Sequence, residues 1–394
     1  MLSLEVQNYL RQYANAEDAL RALKENFGIN ASQHKSLSKL YSLKYDQIDV
    51  EKLGVKSHPI VRECRGLILD STLNTWKVVA HPFNRFYNLG EHQADDINWD
   101  TATVWEKLDG SLMILYYHAN RWHVASSGTP DAGGPLNRPS KLGSDGGTYA
   151  DLFWQTLGSL VGWTFMDRCL WRLPKNVTFM FELCSPENRI VVRHKEPRLI
   201  LIGCRNIQTG EEKRPGEYIH MFPGVEHPRV FPVSSVKEAV RAVSDMNGEE
   251  QEGFVVCDSD FHRVKIKAPN YVALHHLANN VLSTRRVFQD IVFKGEVDEV
   301  AAIFPEHAET LETARTRYNE LIADLAVNFK KGREAADDAQ SKGLDVKKAF
   351  ALAVKDSRCS GALFALNNGS VNGLEDFIQN KLHIDNLLRT LGYK

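Results

Sequence analysis

The stretch Trp105-Glu106-Lys107-Leu108-Asp109-Gly110-Ser111 places a lysine between two predicted strands. Residues 103–105 form a short apolar strand, and residues 112–117 are apolar or aromatic throughout, which predicts a strand buried on both faces. Lys107 is therefore predicted at the rim of a sheet. Apolar neighbours and nearby cations lower the pKa of a lysine, so Lys107 could attack an electrophile near neutral pH. Taken alone, the pattern also fits a solvated lysine before a hairpin turn.

Further charged residues recur at the ends of apolar strands downstream of Lys107. Glu182 ends the run Phe179-Met180-Phe181-Glu182, and Glu252 begins Glu252-Gly253-Phe254-Val255-Val256. Lys265 and Lys267 alternate with apolar residues in the next segment, so both lie on one face of a strand, about 6 to 7 Å apart. Together with Lys107, this order of charges indicates one anion-binding site. Each charge taken singly also fits an ion pair or a solvated strand face.

The combination resembles the covalent nucleotidyltransferases, the ligases and capping enzymes that carry a nucleotide on a lysine. It is most similar to the RNA ligase 1 family of T-even phages. That family also has an upstream Arg-Gly strand, here Glu63-Cys64-Arg65-Gly66-Leu67-Ile68, and a segment written here as residues 81–91. The resemblance covers about residues 40 to 275.

The resemblance implies ATP and Mg²⁺ as cofactors, and RNA with 5′-phosphate and 3′-hydroxyl ends as substrate. It also implies roles for individual residues. Lys107 is the implied nucleophile and Glu182 a ligand of the ribose or of a metal-bound water, and Tyr271 braces the site. The implied catalytic set is Lys107, Glu182, Glu252, Lys265, Lys267 and Tyr271, and the nucleotide-binding set adds Arg65, Arg85 and Gly110.

The chain departs from the family pattern at three positions. Arg85 stands where the phage ligases have a lysine, so the charge is kept but the donor geometry changes. Leu43 stands where they have a tyrosine near the nucleotide. Ser127 replaces a lysine before the glycine of a turn, so a positive charge expected beside the phosphates is missing, and Lys141 in the following Gly-, Pro- and Ser-rich loop is a candidate to supply it.

Composition and charge limit the protein class. The chain has 394 residues, 43% of them apolar, which is enough for two domains with substantial cores. A net charge of −2 excludes a globally basic nucleic-acid binder but permits a basic groove. The six cysteines lack Cys-x-x-Cys pairs, which predicts buried free thiols. No apolar run is long enough to span a membrane, and we expect a cytoplasmic protein.

Residues after about 276 have a different composition, with helix formers dominant and strand-like alternation lost. We therefore predict an α+β fold with mostly antiparallel sheets in an adenylyltransferase domain (residues 1–275), followed by an all-helical domain (276–394). In the catalytic part, residues 148–173 predict one amphipathic helix whose aromatic side chains lie in the core. Asp298 matches an acidic position that the resemblance associates with metal, although it also fits a surface carboxylate.

Two alternatives remain open from the sequence. The first is another covalent nucleotidyltransferase, either a DNA ligase or a GTP-dependent capping enzyme. The β-barrel that usually follows the last motif in those enzymes is replaced here by predicted helices, which favours an RNA ligase. The second alternative is a non-catalytic protein that binds nucleic-acid ends, which the missing lysine at Ser127 supports and the complete set of charged motif residues disfavours.

Overall fold

A computed structural model describes residues 3–136, 147–281 and 283–393, and it divides into two compact units, residues 1–274 and 275–394. The first unit mixes helices with antiparallel sheets and the second is helical, so the predicted α+β class is confirmed. No helix in the described ranges combines the length and the apolar character needed to cross a bilayer.

The first unit is built on fourteen described strands in three sheets. In chain order the strands are β1 (Ile29–Gln33), β2 (Leu40–Tyr45), β3 (Arg65–Asp70), β4 (Lys77–Ala80), β5 (Tyr87–Asn88), β6 (Thr103–Lys107), β7 (Ser111–His118), β8 (Arg121–Ser126), β9 (Val177–Cys184), β10 (Arg198–Asn206), β11 (Glu212–Lys213), β12 (Val230–Phe231), β13 (Gly253–Cys257) and β14 (Arg263–Lys267). Their orders are β1-β2-β3-β4, β11-β10-β9-β7-β8 and β12-β6-β13-β14-β5, and every pairing is antiparallel except that of β14 with β5.

Short helices surround these sheets. They are α1 (Glu5–Leu10), α2 (Ala16–Phe27), α3 (Gln47–Lys52), α4 (Pro59–Glu63), α5 (Tyr149–Val161), α6 (Trp163–Arg172), α7 (Pro215–Tyr218), α8 (Val236–Ser244) and α9 (Pro269–Val281), with 3₁₀ turns at Thr72–Asn74 and Ile219–Met221. Helix α2 begins at an Asn15 cap and ends at Gly28, whose φ of +62° suits glycine.

The helical unit contains α10 (Thr284–Arg286), α11 (Val297–Ile303), α12 (Ala308–Ser341), α13 (Val346–Val354), α14 (Ser360–Asn367), α15 (Leu374–Asn380) and α16 (Ile384–Thr390), with a π-helical segment at Val287–Val292 and a 3₁₀ turn at Pro305–His307. Helix α12 runs unbroken for 34 residues and buries one stripe that includes Leu311, Leu321 and Leu325. The other helices of the unit pack their apolar sides against this stripe in a core of their own.

The prediction of a single helix over residues 148–173 is wrong in two respects. It is broken into α5 and α6 at Gly162, where φ is +85°. Phe153 lies in the core as expected, but Trp163, Phe165 and Trp171 on α6 are exposed, because the break turns α6 so that Cys169 faces inward instead. The cysteine prediction is confirmed, since all six are free thiols and five are buried.

Candidate active site

Lys107 ends β6, which lies between β12 and the central strand β13 of its sheet. Gly253 of β13 pairs with Lys107 on one side and with Lys267 of β14 on the other. One step along, Val255 lies between Trp105 and Lys265 in the same register. Side chains two residues apart, and those directly opposite on neighbouring strands, share a face, so Lys107, Lys265 and Lys267 all project from the same side of this sheet. The alternation had predicted this for Lys265 and Lys267.

Glu252 joins two of these lysines. Its carboxylate contacts the Lys107 Nζ at 2.7 Å through one oxygen and the Lys267 Nζ at 2.8 Å through the other, and its side chain is only 4% exposed. Burial opposes ionisation, but the two ammonium groups prevail and hold the pKa of Glu252 below its ordinary value. Glu252 is therefore an anion held between two cations beside Lys107.

Two further groups near Lys107 titrate close to neutral pH. Burial raises the pKa of Glu182 to about 7, with Lys107 opposing this rise and Glu252 adding to it. Burial, and then the charges of Lys107 and Lys267, lower the pKa of Lys265 to about 8. Such opposed shifts of an acid and a base in one cleft are typical of functional sites.

A cleft opens to solvent beside Lys107. Its lining includes Arg65, Phe86, Trp105, Lys107, Glu182 and Val255. The Arg65 guanidinium lies 5.3 Å from the centre of the Phe86 ring. Its Nη1 is buried and has no hydrogen-bond partner among the described residues, which leaves a donor available for a ligand.

Arg85 lies in a neighbouring cavity. Its guanidinium stacks 4.1 Å from the Tyr45 ring centre and donates to Gln47 at 3.2 Å, and it lines a cavity shared with Lys265 and Phe86. It does not line the cleft that contains Lys107. Arg85 and the Lys107 cleft are thus connected through Phe86, which lines both cavities.

Asp109 carries more of the site than the sequence indicated. One carboxylate oxygen accepts hydrogen bonds from the backbone N–H groups of Val191 and Val192 at 2.8 and 2.7 Å, and the other accepts from the Tyr271 hydroxyl at 2.8 Å. Its backbone carbonyl lies 2.9 Å from the Nε2 of His194. Sequence reasoning used Asp109 only as part of a turn, although its place two residues after the lysine was the available signal.

Two glycines allow the close approach of backbones at the site. A Cβ on Gly110 would lie 2.4 Å from the Leu183 carbonyl oxygen and 3.0 Å from the Glu182 side chain. Gly253 has a φ of +142°, and a Cβ there would lie 2.1 Å from the Ile266 carbonyl oxygen. Both positions therefore require glycine, and Gly110 places the strand that follows Lys107 directly against Glu182.

Leu43 and Ser127 are two of the positions at which the sequence departs from the expected family pattern. Leu43 is fully buried in the core beneath α1 and α2, so it does not point toward the cleft. The next residue, Lys44, pairs with Arg65 across β2 and β3, and its ammonium lies beside the turn at Gly128. Burial, and then the charge of Arg65, lower the pKa of Lys44. Lys44 was missed by sequence reasoning, and Lys141 lies outside the described residues.

Asp298 belongs to the helical unit. Its side chain is 82% exposed, and it forms an ion pair with Arg315 at 2.8 Å. A metal role for Asp298 stays a prediction. The described residues that cluster as possible metal ligands are instead Asp258, Asp260 and His262, in the turn between β13 and β14, where Asp258 is occupied by hydrogen bonds to neighbouring backbone groups.

Comparison with known proteins identifies the family. A profile of the phage T4-type RNA ligase family matches residues 63–271, just over half of the chain. An RNA ligase of Rhodothermus phage RM378 is 25% identical over 92% of both chains. A putative bifunctional polynucleotide kinase/RNA ligase of Autographa californica nuclear polyhedrosis virus is 30% identical over 70% of this chain and 39% of the viral protein.

Among solved structures, a mutant RNA ligase of Naegleria gruberi with ATP and Mn aligns with 45% of this chain and 52% of its own, at 16% identity and a TM-score of 0.35. The family assignment rests on the profile match, which spans every motif from Arg65 to Tyr271. The chain therefore belongs to the RNA ligase 1 family of T-even phages.

Proposed function

We propose that this protein is an ATP-dependent RNA ligase that joins a 5′-phosphate to a 3′-hydroxyl through lysine-AMP and RNA-adenylate intermediates. The observation that supports it best is the placement of Lys107 in a cleft, against Glu252 and near Glu182, Lys265 and Lys267. A lysine fixed beside a carboxylate and ringed by cations suits attack on a phosphoryl group.

In the first step the neutral amine of Lys107 attacks the α-phosphorus of ATP. The new N–P bond forms as the bond to the β-phosphate oxygen breaks, so pyrophosphate leaves and the lysine loses a proton. Glu252 contacts the Lys107 Nζ directly, which makes it the nearest acceptor for that proton. Arg65 lines the cleft, Lys265 lines the adjoining cavity, and Lys267 contacts Glu252 beside Lys107. These three cations offset the negative charge that develops on the phosphate oxygens.

Glu182 fits a ligand of Mg²⁺, because carboxylate oxygens are the ligands that Mg²⁺ prefers, whereas both oxygens of Glu252 contact lysines. Both carboxylates lie close to Lys107, because its positive charge acts to lower the pKa of each of them. Bound there, Mg²⁺ would neutralise charge on the phosphates of ATP. The same cleft residues then orient AMP while an RNA 5′-phosphate displaces Lys107 from it, and finally while an RNA 3′-hydroxyl displaces AMP.

Lys44 supplies the positive charge that Ser127 lacks. Its ammonium lies beside the glycine of the same turn and next to Arg65 on the neighbouring strand. A lysine that reaches the turn from β2 thus stands near the position that a lysine at 127 would occupy. This substitution removes the main reason for regarding the protein as non-catalytic.

Incubation with α-labelled ATP or GTP, followed by denaturing electrophoresis, tests the proposal. We expect label on the protein from ATP and not from GTP, and no label on Lys107→Ala, which has no nucleophile. The same variant should still join RNA that already carries AMP on its 5′ end, at a reduced rate. Label from GTP alone would instead identify a capping enzyme, and label on Lys107→Ala would contradict the choice of nucleophile.

A further inference from the structure

Helix α6 carries three large aromatic side chains that the fold leaves exposed. Trp163 and Phe165 are each 59% exposed and Trp171 is 79% exposed. The Trp163 ring packs against Gly158 of α5, whereas Phe165 and Trp171 lie on the outer side of α6 and form a patch that calls for a partner. We call Phe165, Arg168, Trp171 and Arg172 together the α6 face.

The inner side of α6 packs against the core and forms hydrogen bonds with neighbouring elements. Cys169 is buried and its thiol donates to the Met221 carbonyl at 3.0 Å, while the Leu170 carbonyl accepts a hydrogen bond from the Trp122 indole at 2.8 Å. Met166 and Leu170 pack on the core beneath the helix. The helix is therefore held firmly, and its outer side is a fixed surface.

Aromatic and cationic side chains are interleaved on this outer side. Arg168 lies one turn after Phe165 and nearly one turn before Trp171, so its guanidinium lies between the two rings along the helix. Arg172 follows one turn after Arg168. Both arginines are exposed, and across the described parts of the chain neither has a carboxylate within ion-pair distance.

This combination suits single-stranded RNA better than a protein surface. Every base presents a face that can stack on an aromatic ring, and an arginine between the rings can pair with the phosphate that links two bases. A protein partner that buried the rings would also have to compensate two guanidinium charges. Helix α6 contains two arginines and one acidic residue, Asp167, so its net charge is positive. This charge complements RNA.

We propose that the α6 face is a docking surface for single-stranded RNA, separate from the cleft where ends are joined. This inference rests on the proposed function, because it takes RNA as the substrate of the protein. Strand β9 separates the two places, because Phe181 and Leu183 point into the core that α6 covers, whereas Glu182 points to the opposite side of the sheet, toward Lys107.

Because the α6 face lies behind the sheet, it holds the body of an RNA and not its reacting end. A single-strand platform typically covers about 4 to 16 nucleotides. We therefore expect an RNA of about 4 nucleotides, the lower end of this range, to occupy one place at a time, and an RNA of about 30 nucleotides, well beyond its upper end, to contact both. The α6 face should therefore act only on the longer substrate.

Binding of these two labelled RNAs to the full-length protein tests the proposal. Trp171→Ala should raise the Kd for the longer RNA about tenfold, since it removes one stacked base, and leave the shorter RNA unaffected. Trp171→Phe should restore most of the affinity. Arg168→Ala should lower the slope of log K against log salt by about 0.7 for the longer RNA, as expected for one lost phosphate contact.

Helix α8 provides matched controls, because Val240 and Arg241 are also exposed on a surface helix of the first unit. Val240→Ala and Arg241→Ala should bind both RNAs as the wild type does. Equal loss of affinity for both RNA lengths, or no loss for either, would overturn the proposal. So would a wild-type dimer that dissociates on Trp171→Ala in sedimentation, because a second copy would then occupy the face.

Labelling of the protein by ATP separates this proposal from the proposed function. All α6 variants should form the lysine-AMP adduct at the wild-type rate, because α6 does not contribute to the cleft. A wild-type protein without the adduct would count against the proposed function. Normal adduct formation with unchanged binding of long RNA would count against the α6 face alone.

Discussion

The hydroxyl of Tyr271 donates a 2.8 Å hydrogen bond to the carboxylate of Asp109, across 162 positions of sequence. Asp109 follows Lys107 by two residues, and Tyr271 lies in the first turn of α9. The bond therefore ties the turn that carries Lys107 to the end of the catalytic fold. Burial, and then the nearby carboxylates, raise the pKa of Tyr271, so the hydroxyl keeps its proton at all ordinary pH values.

Tyr271→Phe should slow adduct formation and destabilise the protein by about 1 to 3 kcal/mol, because a buried hydrogen bond to a carboxylate is lost. Urea unfolding and the rate of labelling by ATP measure the two effects. Tyr318→Phe is the matched control, since it also removes a hydroxyl bond but lies in the helical unit. Unchanged labelling by Tyr271→Phe would reduce Tyr271 to a packing role.

Lys265→Ala and Lys267→Ala should each slow formation of the adduct about a hundredfold or more, because a charge near developing phosphate charge is typically worth a few kcal/mol. Single-turnover labelling measures the rate, and thermal melting checks the fold. Lys237→Ala on the exposed surface of α8 is the control. Variants that melt normally and label at the wild-type rate would show that these lysines do not contact the phosphates.

Adduct formation should depend on pH through Glu182. The carboxyl is protonated below its pKa of about 7 and ionised above it, so kcat/KM should rise as pH increases through about 7. Above about 8 the charge of Lys265 is lost and the rate should fall. Glu182→Gln should be slower and lack the acidic limb. A variant profile that keeps this limb would assign it to another group.

Lys44→Ala should slow adduct formation about tenfold, because one cation beside the phosphates is removed. The decisive variant is Lys44→Ala combined with Ser127→Lys, which returns a lysine to the turn from the other strand. Recovery of the labelling rate in the double variant is the expected result. If the double variant is no faster than Lys44→Ala, a lysine at position 127 does not replace the charge of Lys44.

Deletion of residues 283–394 keeps α9 intact and should separate adenylation from sealing. The lysine-AMP adduct should persist to a measurable degree, whereas sealing efficiency or preference among RNA ends should change. Removal of residues 283–394 exposes apolar residues that α9 contributes to the helical core, such as Val281, which costs on the order of several kcal/mol, so circular dichroism must precede the assays. If the truncated protein is folded and its sealing rates and preferences are unchanged, the helical unit has no role in substrate choice.

The sequence predicted the strands that carry Lys107, Lys265 and Lys267, because their pattern is local and strongly alternating. It could not predict the Asp109 contacts, since their partners lie 82, 83 and 162 positions away. Lys44 was hidden because its role depends on how β2 pairs with β3. The exposure of Trp171 was missed because a helical pattern gives no sign that one φ at Gly162 divides the helix.

Gly253 holds the strands that carry Lys107 and Lys267 at a fixed distance. Its backbone passes so close to Ile266 that any side chain would force β13 and β14 apart, and Lys107 and Lys267 are its two cross-strand neighbours. The separation of these two lysines is thus a property of the main chain, about two strand spacings, or roughly 10 Å between Cα atoms. Exchange of side chains around the cleft therefore leaves the main-chain distance between Lys107 and Lys267 unchanged.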